Sequence, residues 1–244
     1  MEKHEIIKMR HDVVRRHLRL VEKQQLTPHM LRLQFQSEQL KGFESPSPDD
    51  HVKIFLPTRD GEEQIMRDYT PRAWDEIAGT FTLDFALHEQ GSATDWARAA
   101  QPGDTLEIGG PRGSTVVPDD FDWYLLIGDT TALPSFSRRL EALRANVPVT
   151  VFTLVPDPGA KQLFQTVATC EAHWLVAGTT SDEDAAIVLD ALKHFQLPPG
   201  EGYVWIAAEA AVSQQLYSYL TEQRAHPKQW IKASAYWKRT ETAS

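Results

Sequence analysis

A chain of 244 residues suffices for one large domain or two small ones, and 41% hydrophobic with 24% charged residues describes a globular protein with material for a buried core. A net charge of −9 argues against non-specific nucleic-acid binding. The single cysteine, Cys170, excludes internal disulfides, iron–sulfur clusters and structural zinc–cysteine sites, and no apolar run reaches the roughly 18 residues needed to span a bilayer.

The chain opens on "MEKHEIIKMRHDVVRRHLRL", which is charged throughout and lacks the apolar centre of a secretory signal. A cytoplasmic protein is therefore expected. His4, His11 and His17 have no metal-ligand spacing, so surface histidines and no metal site are expected.

The first half then reads as β-structure. "HMLRLQF" alternates. "HVKIFLP" puts Val52, Ile54 and Leu56 on one face and Lys53 and Phe55 on the other. "TFTLDFALH" sets Phe81, Leu83, Phe85 and Leu87 against Thr82, Asp84, Ala86 and His88. Turns such as "QPGD" and "GGPRGS" separate these runs, which predicts a β-barrel.

The pattern changes near residue 120. "YLLIGD", "VTVFTLV", "HWLVAGT" and "YVWIAAE" are continuous apolar runs, as expected of parallel strands buried on both faces. Phe136, Leu140 and Leu143 recur at helical spacing, as do Val212, Leu216 and Leu220. Strands alternating with helices predict a doubly wound parallel-sheet α/β domain. Pro118 and "DDFD" set the boundary, giving a barrel over 1–118 and an α/β domain over 119–244. Residues 171–222 hold eight acids against one base, Lys193. The last 22 residues hold five bases against Glu241, a basic tail in which Lys238 and Arg239 are expected to be solvated.

Within the barrel, "RDYTPR" concentrates several chemistries. Arg67 can pair with a phosphate, Tyr69 can stack on a flat ring and Thr70 can hydrogen-bond at its edge. In extended chain residues 67 and 69 share a face and Asp68 takes the opposite one. A strand end closed by a Thr-Pro turn explains the same residues without a ligand. Downstream, "GSAT" at 91–94 can open a helix whose N–H groups face an anion. Ordinary capping by Ser92 or Thr94 uses the same donors.

"RDYTPR", "DFALHEQGSATDWA", "PGDTLEIGGPRGS", "LIGDTTALPSFSRRLE" and "AYWKR" together, in this order and spacing, resemble the siderophore-interacting protein family. These are ferric-siderophore reductases within the ferredoxin–NADP reductase-like flavoproteins. The resemblance runs from about residue 10 to 240. It implies non-covalent FAD held by Arg67, Asp68, Tyr69, Thr70, Asp84, His88, Ser92, Ala93, Thr94 and Trp237, with the redox chemistry in the flavin. It implies an anionic ferric siderophore, catecholate in type, held by Lys53, Arg112 and Lys232. Tyr236 and Trp237 either meet the flavin or its adenine, or pack the tail.

The implied donor is NAD(P)H or a ferredoxin. The turn where a dinucleotide fingerprint would stand reads "GDTTALP", with one glycine and an acid, Asp129, that would repel phosphate. A ferric-siderophore reductase acting as a monomer is expected. A general NAD(P)H-dependent flavin or ferric reductase, and a non-catalytic flavin-containing siderophore-binding module, remain as alternatives.

Overall fold

The computed structural model describes residues 3–57, 63–88 and 91–239. The chain forms two compact units, Met1–Pro118 and Asp119–Ser244.

The first unit contains β1 (Ile7–Arg10), β2 (Arg15–Thr27), β3 (Met30–Gln36), β4 (Val52–Phe55), β5 (Met66–Tyr69), β6 (Ala73–Asp75), β7 (Thr80–Ala86), α1 (Ser92–Ala99), β8 (Thr105–Gly109) and β9 (Gly113–Val116). Seven strands make one antiparallel sheet in the order β5-β4-β8-β2-β3-β7-β6, and β1 pairs with β9 beside it. The period-2 pattern sets the inner face. Leu18, Leu20, Leu33, Phe35, Val52, Ile54, Phe81, Leu83 and Phe85 are buried in one cluster. Each such side chain contributes about 1.5–3 kcal/mol by leaving water.

The sheet order has a geometric consequence. The strands β5 and β6 lie at opposite edges, yet only Thr70, Pro71 and Arg72 join them. Four Cα steps reach at most about 14 Å. The sheet must therefore curl until its two edges nearly meet, which makes it a barrel with an open seam at "TPR".

The second unit contains β10 (Trp123–Asp129), α2 (Leu133–Ala142), β11 (Pro148–Val155), β12 (Thr169–Val176), α3 (Ser181–His194), β13 (Gly202–Glu209), α4 (Ala210–Ser218) and β14 (Ile231–Trp237). Its five strands are all parallel, in the order β12-β11-β10-β13-β14. The order reverses between β10 and β13, the switch point at which such sheets take ligands. The central strands are buried almost end to end, as continuous apolar runs require. Among the described residues no helix is long and apolar enough to cross a membrane.

Four expectations need correction. "HWLVAGT" belongs to β12, an edge strand exposed or half-buried along its length, because it has a neighbour on one side only. The basic tail is not loose: residues 231–237 are the fifth parallel strand, β14. Arg239 is not merely solvated, since its guanidinium donates to Asp184 at 2.8 Å and to the Thr179 carbonyl at 2.7 Å. The strand β7 ends at Ala86, so His88 lies beyond it and does not share a strand face with Asp84.

Candidate functional site

The seam of the first unit gathers the residues of both segments singled out in the sequence. Tyr69, at the end of β5, packs its ring on Phe85 of β7 with centroids 4.4 Å apart. Phe85 packs in turn on Trp96 of α1 at 5.9 Å. Aromatic contacts of this kind add about 0.5–1.5 kcal/mol each beyond area burial, so they hold "RDYT" and "GSAT" together as one neighbourhood. Burial pushes the Tyr69 phenol up, and the nearby Arg67 charge partly offsets this. The hydroxyl stays protonated at any physiological pH. Thr70 is buried, while Arg67 is exposed and donates to the carbonyl of its neighbour Met66 at 2.8 Å.

The start of α1 has an unusual donor set. Its N-cap is Gly91 at φ 152°, a backbone conformation that L side chains rarely adopt, and among the described residues no side chain caps the helix. Neither Ser92 nor Thr94 caps it. Thr94 is buried and turns its hydroxyl back to the Ala86 carbonyl at 3.4 Å, accepting from the His88 N–H at 3.4 Å. Thr94 therefore ties the helix to the end of β7. Ala93 is buried, Ser92 is half-buried and His88 is exposed. The N–H groups of a helix start of this kind suit an anion.

Two acids near the seam are otherwise engaged. Asp84 forms a bidentate pair with Arg32, both contacts 2.7 Å, across the register Arg32↔Asp84 of β3 and β7. Arg72 adds its charge at 3.9 Å. Asp68 pairs with Lys53, its register partner on β4, at 2.8 Å with both side chains about half exposed. Arg32 and Arg72 were not singled out from the sequence. The signal available was the i-to-j register of two alternating strands, which only pairing reveals.

The cations fall in both units. Lys53 stands opposite Gly109 on β8, three residues before Arg112, so both belong to one end of that ladder. Arg112 is exposed, and its turn is held from behind. The His11 N–H donates to the Arg112 carbonyl at 3.0 Å, and the His11 ring meets the Ser114 hydroxyl at 2.8 Å. Ser114 and Ser45 donate to buried Asp50 at 2.8 and 3.1 Å, and the Ser47 N–H does so at 3.0 Å. His11 is thus part of a polar network and not a plain surface histidine. Lys232 lies on β14 in the second unit, as does Trp237, whose indole N–H donates to Asp129 at 2.8 Å.

Residues 121–240 match the family described as siderophore-interacting protein, and residues 19–65 and 58–115 match the siderophore-interacting FAD-binding domain. The chain belongs to the siderophore-interacting protein family. It is 33% identical to an NADPH-dependent ferric-chelate reductase of Escherichia coli (strain K12), over 94% of this chain and 95% of that protein. It is 28% identical to the ferric vibriobactin reductase ViuB of Vibrio cholerae, over 91% and 89% of the two chains. The crystal structure of a siderophore utilization protein from T. fusca superposes with a TM-score of 0.87 at 30% identity, covering 98% of each chain. Barrel and α/β unit together make the ferredoxin–NADP reductase-like fold.

The residues at the seam fit the FAD that the barrel's family match names. A diphosphate needs donors and positive charge, and the uncapped start of α1, Ser92 and exposed Arg67 offer them. A flat ring system needs an apolar platform, and Tyr69 backed by Phe85 and Trp96 offers one.

Proposed function

We propose that this member of the family is an FAD-dependent ferric-siderophore reductase. Its homology makes it an oxidoreductase, and its ferric-siderophore substrate follows from the family. The observation that carries the finer reading is the seam itself. There Tyr69, Arg67 and the uncapped start of α1 lie in one neighbourhood beside a ladder end that bears Lys53 and Arg112.

Bound FAD supplies the electron relay between donor and ferric ion. The chain's own residues do the rest. Arg67, Ser92 and the N–H groups at the start of α1 hold the diphosphate. Tyr69 is the ring platform, and Thr70 meets the ring edge. Lys53 and Arg112 attract an anionic ferric chelate of catecholate type. Reduction to Fe(II) leaves an ion that hard oxygen donors hold less well, and iron is released. No residue has to bind iron directly. Nicotinamide dinucleotide is the donor in this reading, in line with the E. coli relative's name. The cytoplasmic setting and the monomeric state belong to the same reading.

The test is anaerobic mixing of the FAD-loaded protein with a ferric tris-catecholate and, in separate runs, NADPH, NADH or reduced ferredoxin, with an Fe(II) trap. Fe(II) should form at a rate proportional to protein, and NADPH should support it. Tight binding of the chelate without Fe(II) from any donor would leave only a binding module. Equal rates with ferric citrate and ferric catecholate would favour a general ferric reductase, and the pairing of Lys53 with Asp68 is the observation on that side.

A further inference from the structure

At the switch point β10 and β13 run side by side, and each ends on a carboxylate, Asp129 and Glu209. Both acids are used in the same divided way. One oxygen of Asp129 accepts the Thr131 N–H at 2.9 Å and its hydroxyl at 2.5 Å, while the other accepts the Trp237 indole N–H at 2.8 Å. One oxygen of Glu209 accepts the N–H groups of Ala211 and Val212 at 2.7 and 3.2 Å, while the other accepts the Arg239 N–H at 3.1 Å. Each acid therefore caps the helical turn that follows it and grips the end of β14. Burial pushes the Glu209 carboxyl up, but the N–H groups of Arg239, Val212 and Ala211 outweigh it and hold the carboxyl below the usual range.

These helix starts are where a doubly wound fold ordinarily takes a phosphate. Here the chain's own carboxylates occupy both. Pro134 removes a further donor from the first turn of α2. The one glycine of "GDTTALP" serves packing and not ligand approach. A Cβ on Gly128 would press on the Ala207 carbonyl and stand 2.9 Å from both Ala132 and Phe136. The grip on β14 is reinforced by the Tyr236 hydroxyl, which donates to Ser135 at 3.1 Å. The Arg239 guanidinium lies 5.4 Å over the Trp237 ring.

We propose that Asp129 is a positioning residue that sets the Trp237 indole at the switch point, in a turn closed to dinucleotide phosphate. The proposal rests on the reading of Trp237 as a cofactor-side residue. Asp129 acts through Trp237, and a nicotinamide dinucleotide reaching this edge meets a fixed indole while its phosphates are held elsewhere.

The test is anaerobic stopped-flow reduction of the bound flavin by NADPH, with re-oxidation by ferric catecholate followed separately. Trp237→Phe keeps an aromatic ring and the helix cap but drops the N–H. Asp129→Ala drops the acceptor, and Asp129→Asn keeps one oxygen for two N–H donors, those of Thr131 and Trp237. Trp237→Phe and Asp129→Ala should each lower kcat/KM for NADPH about three- to tenfold, and the double variant should fall no further. Asp129→Asn should recover only part of the loss, and re-oxidation by ferric catecholate should be unchanged in the Asp129 variants. A lower KM for NADPH in Asp129→Ala, with Trp237→Phe silent, would show that the carboxylate only repels phosphate and would overturn the proposal. Silence in both variants would overturn it too. If Asp129→Ala does not fold, Trp237→Phe decides alone. A Trp237→Ala variant silent in both half-reactions ends the Trp237 reading and this proposal but leaves the reductase reading intact. Absence of Fe(II) from the unaltered protein is the separate failure of that reading.

Discussion

A carboxylate sunk into a barrel wall has to be answered by charge, and Asp84 is answered by Arg32 and, at longer range, by Arg72. The pair is asymmetric, because the Arg32 side chain is 33% exposed and that of Asp84 is 4% exposed. Removing Arg32 leaves a buried anion answered by Arg72 at 3.9 Å, whereas removing the acid leaves an arginine that can reach water. Arg32→Met should therefore cost about 2–4 kcal/mol in urea unfolding and Asp84→Asn distinctly less, as a discounted surface-type pair. Equal costs would show that exposure does not govern the pair. The Lys53–Asp68 pair lies at the surface, where such bridges contribute about 0–1 kcal/mol. Asp68→Asn should free the lysine and lower KM for an anionic ferric chelate by up to about fivefold. An unaltered KM would remove Lys53 from the substrate site.

Among elements, the segment after α4 shows how a buried base limits stability. The chain passes through a π-helical turn, Tyr219–Gln223, before β14. His226 is buried there, with its ring 5.7 Å from that of Trp123 and its backbone N–H on the Leu220 carbonyl at 2.9 Å. Burial pushes the His226 pKa down, and the Trp230 carbonyl only partly offsets this. Below its unfolded value of about 6.5, the unfolded chain binds the proton more readily than the folded one. Stability is therefore intact above that pH and falls as pH drops towards the lowered folded value. Replacing His226 by Gln should flatten the fall in melting temperature below about pH 6.5. An unchanged acid slope would assign it to other groups.

At the scale of the molecule, each unit has its own apolar cluster. A ligand that binds only the folded barrel stabilises it by RT ln(1 + [L]/Kd), about 2.7 kcal/mol at a hundredfold excess over Kd. FAD titration in calorimetry should therefore raise the transition of the first unit more than that of the second. Leu125→Ala, in the core of the second unit, should lower the other transition. A single transition that moves as one under both changes would show that the units unfold together.

Local periodicity and composition determined the plan: alternating inward residues on β3, β4 and β7, continuous apolar runs on β10, β11 and β13, and the change of pattern between them. These are legible because side-chain direction follows from the backbone repeat alone. The motifs likewise pointed to Arg67, Tyr69 and the helix start at Ser92. Tertiary structure alone decided which polar groups remain for a ligand. Register on β3–β7 committed Asp84 to Arg32, and register on β4–β5 committed Asp68 to Lys53. The return of the chain along β14 committed Asp129 to Trp237 and Arg239 to Asp184. Such commitments join residues up to 108 positions apart. An ion pair or hydrogen bond at that separation leaves no periodic trace in the sequence, so the barrel and the switch point were readable while the partners of their charges were not.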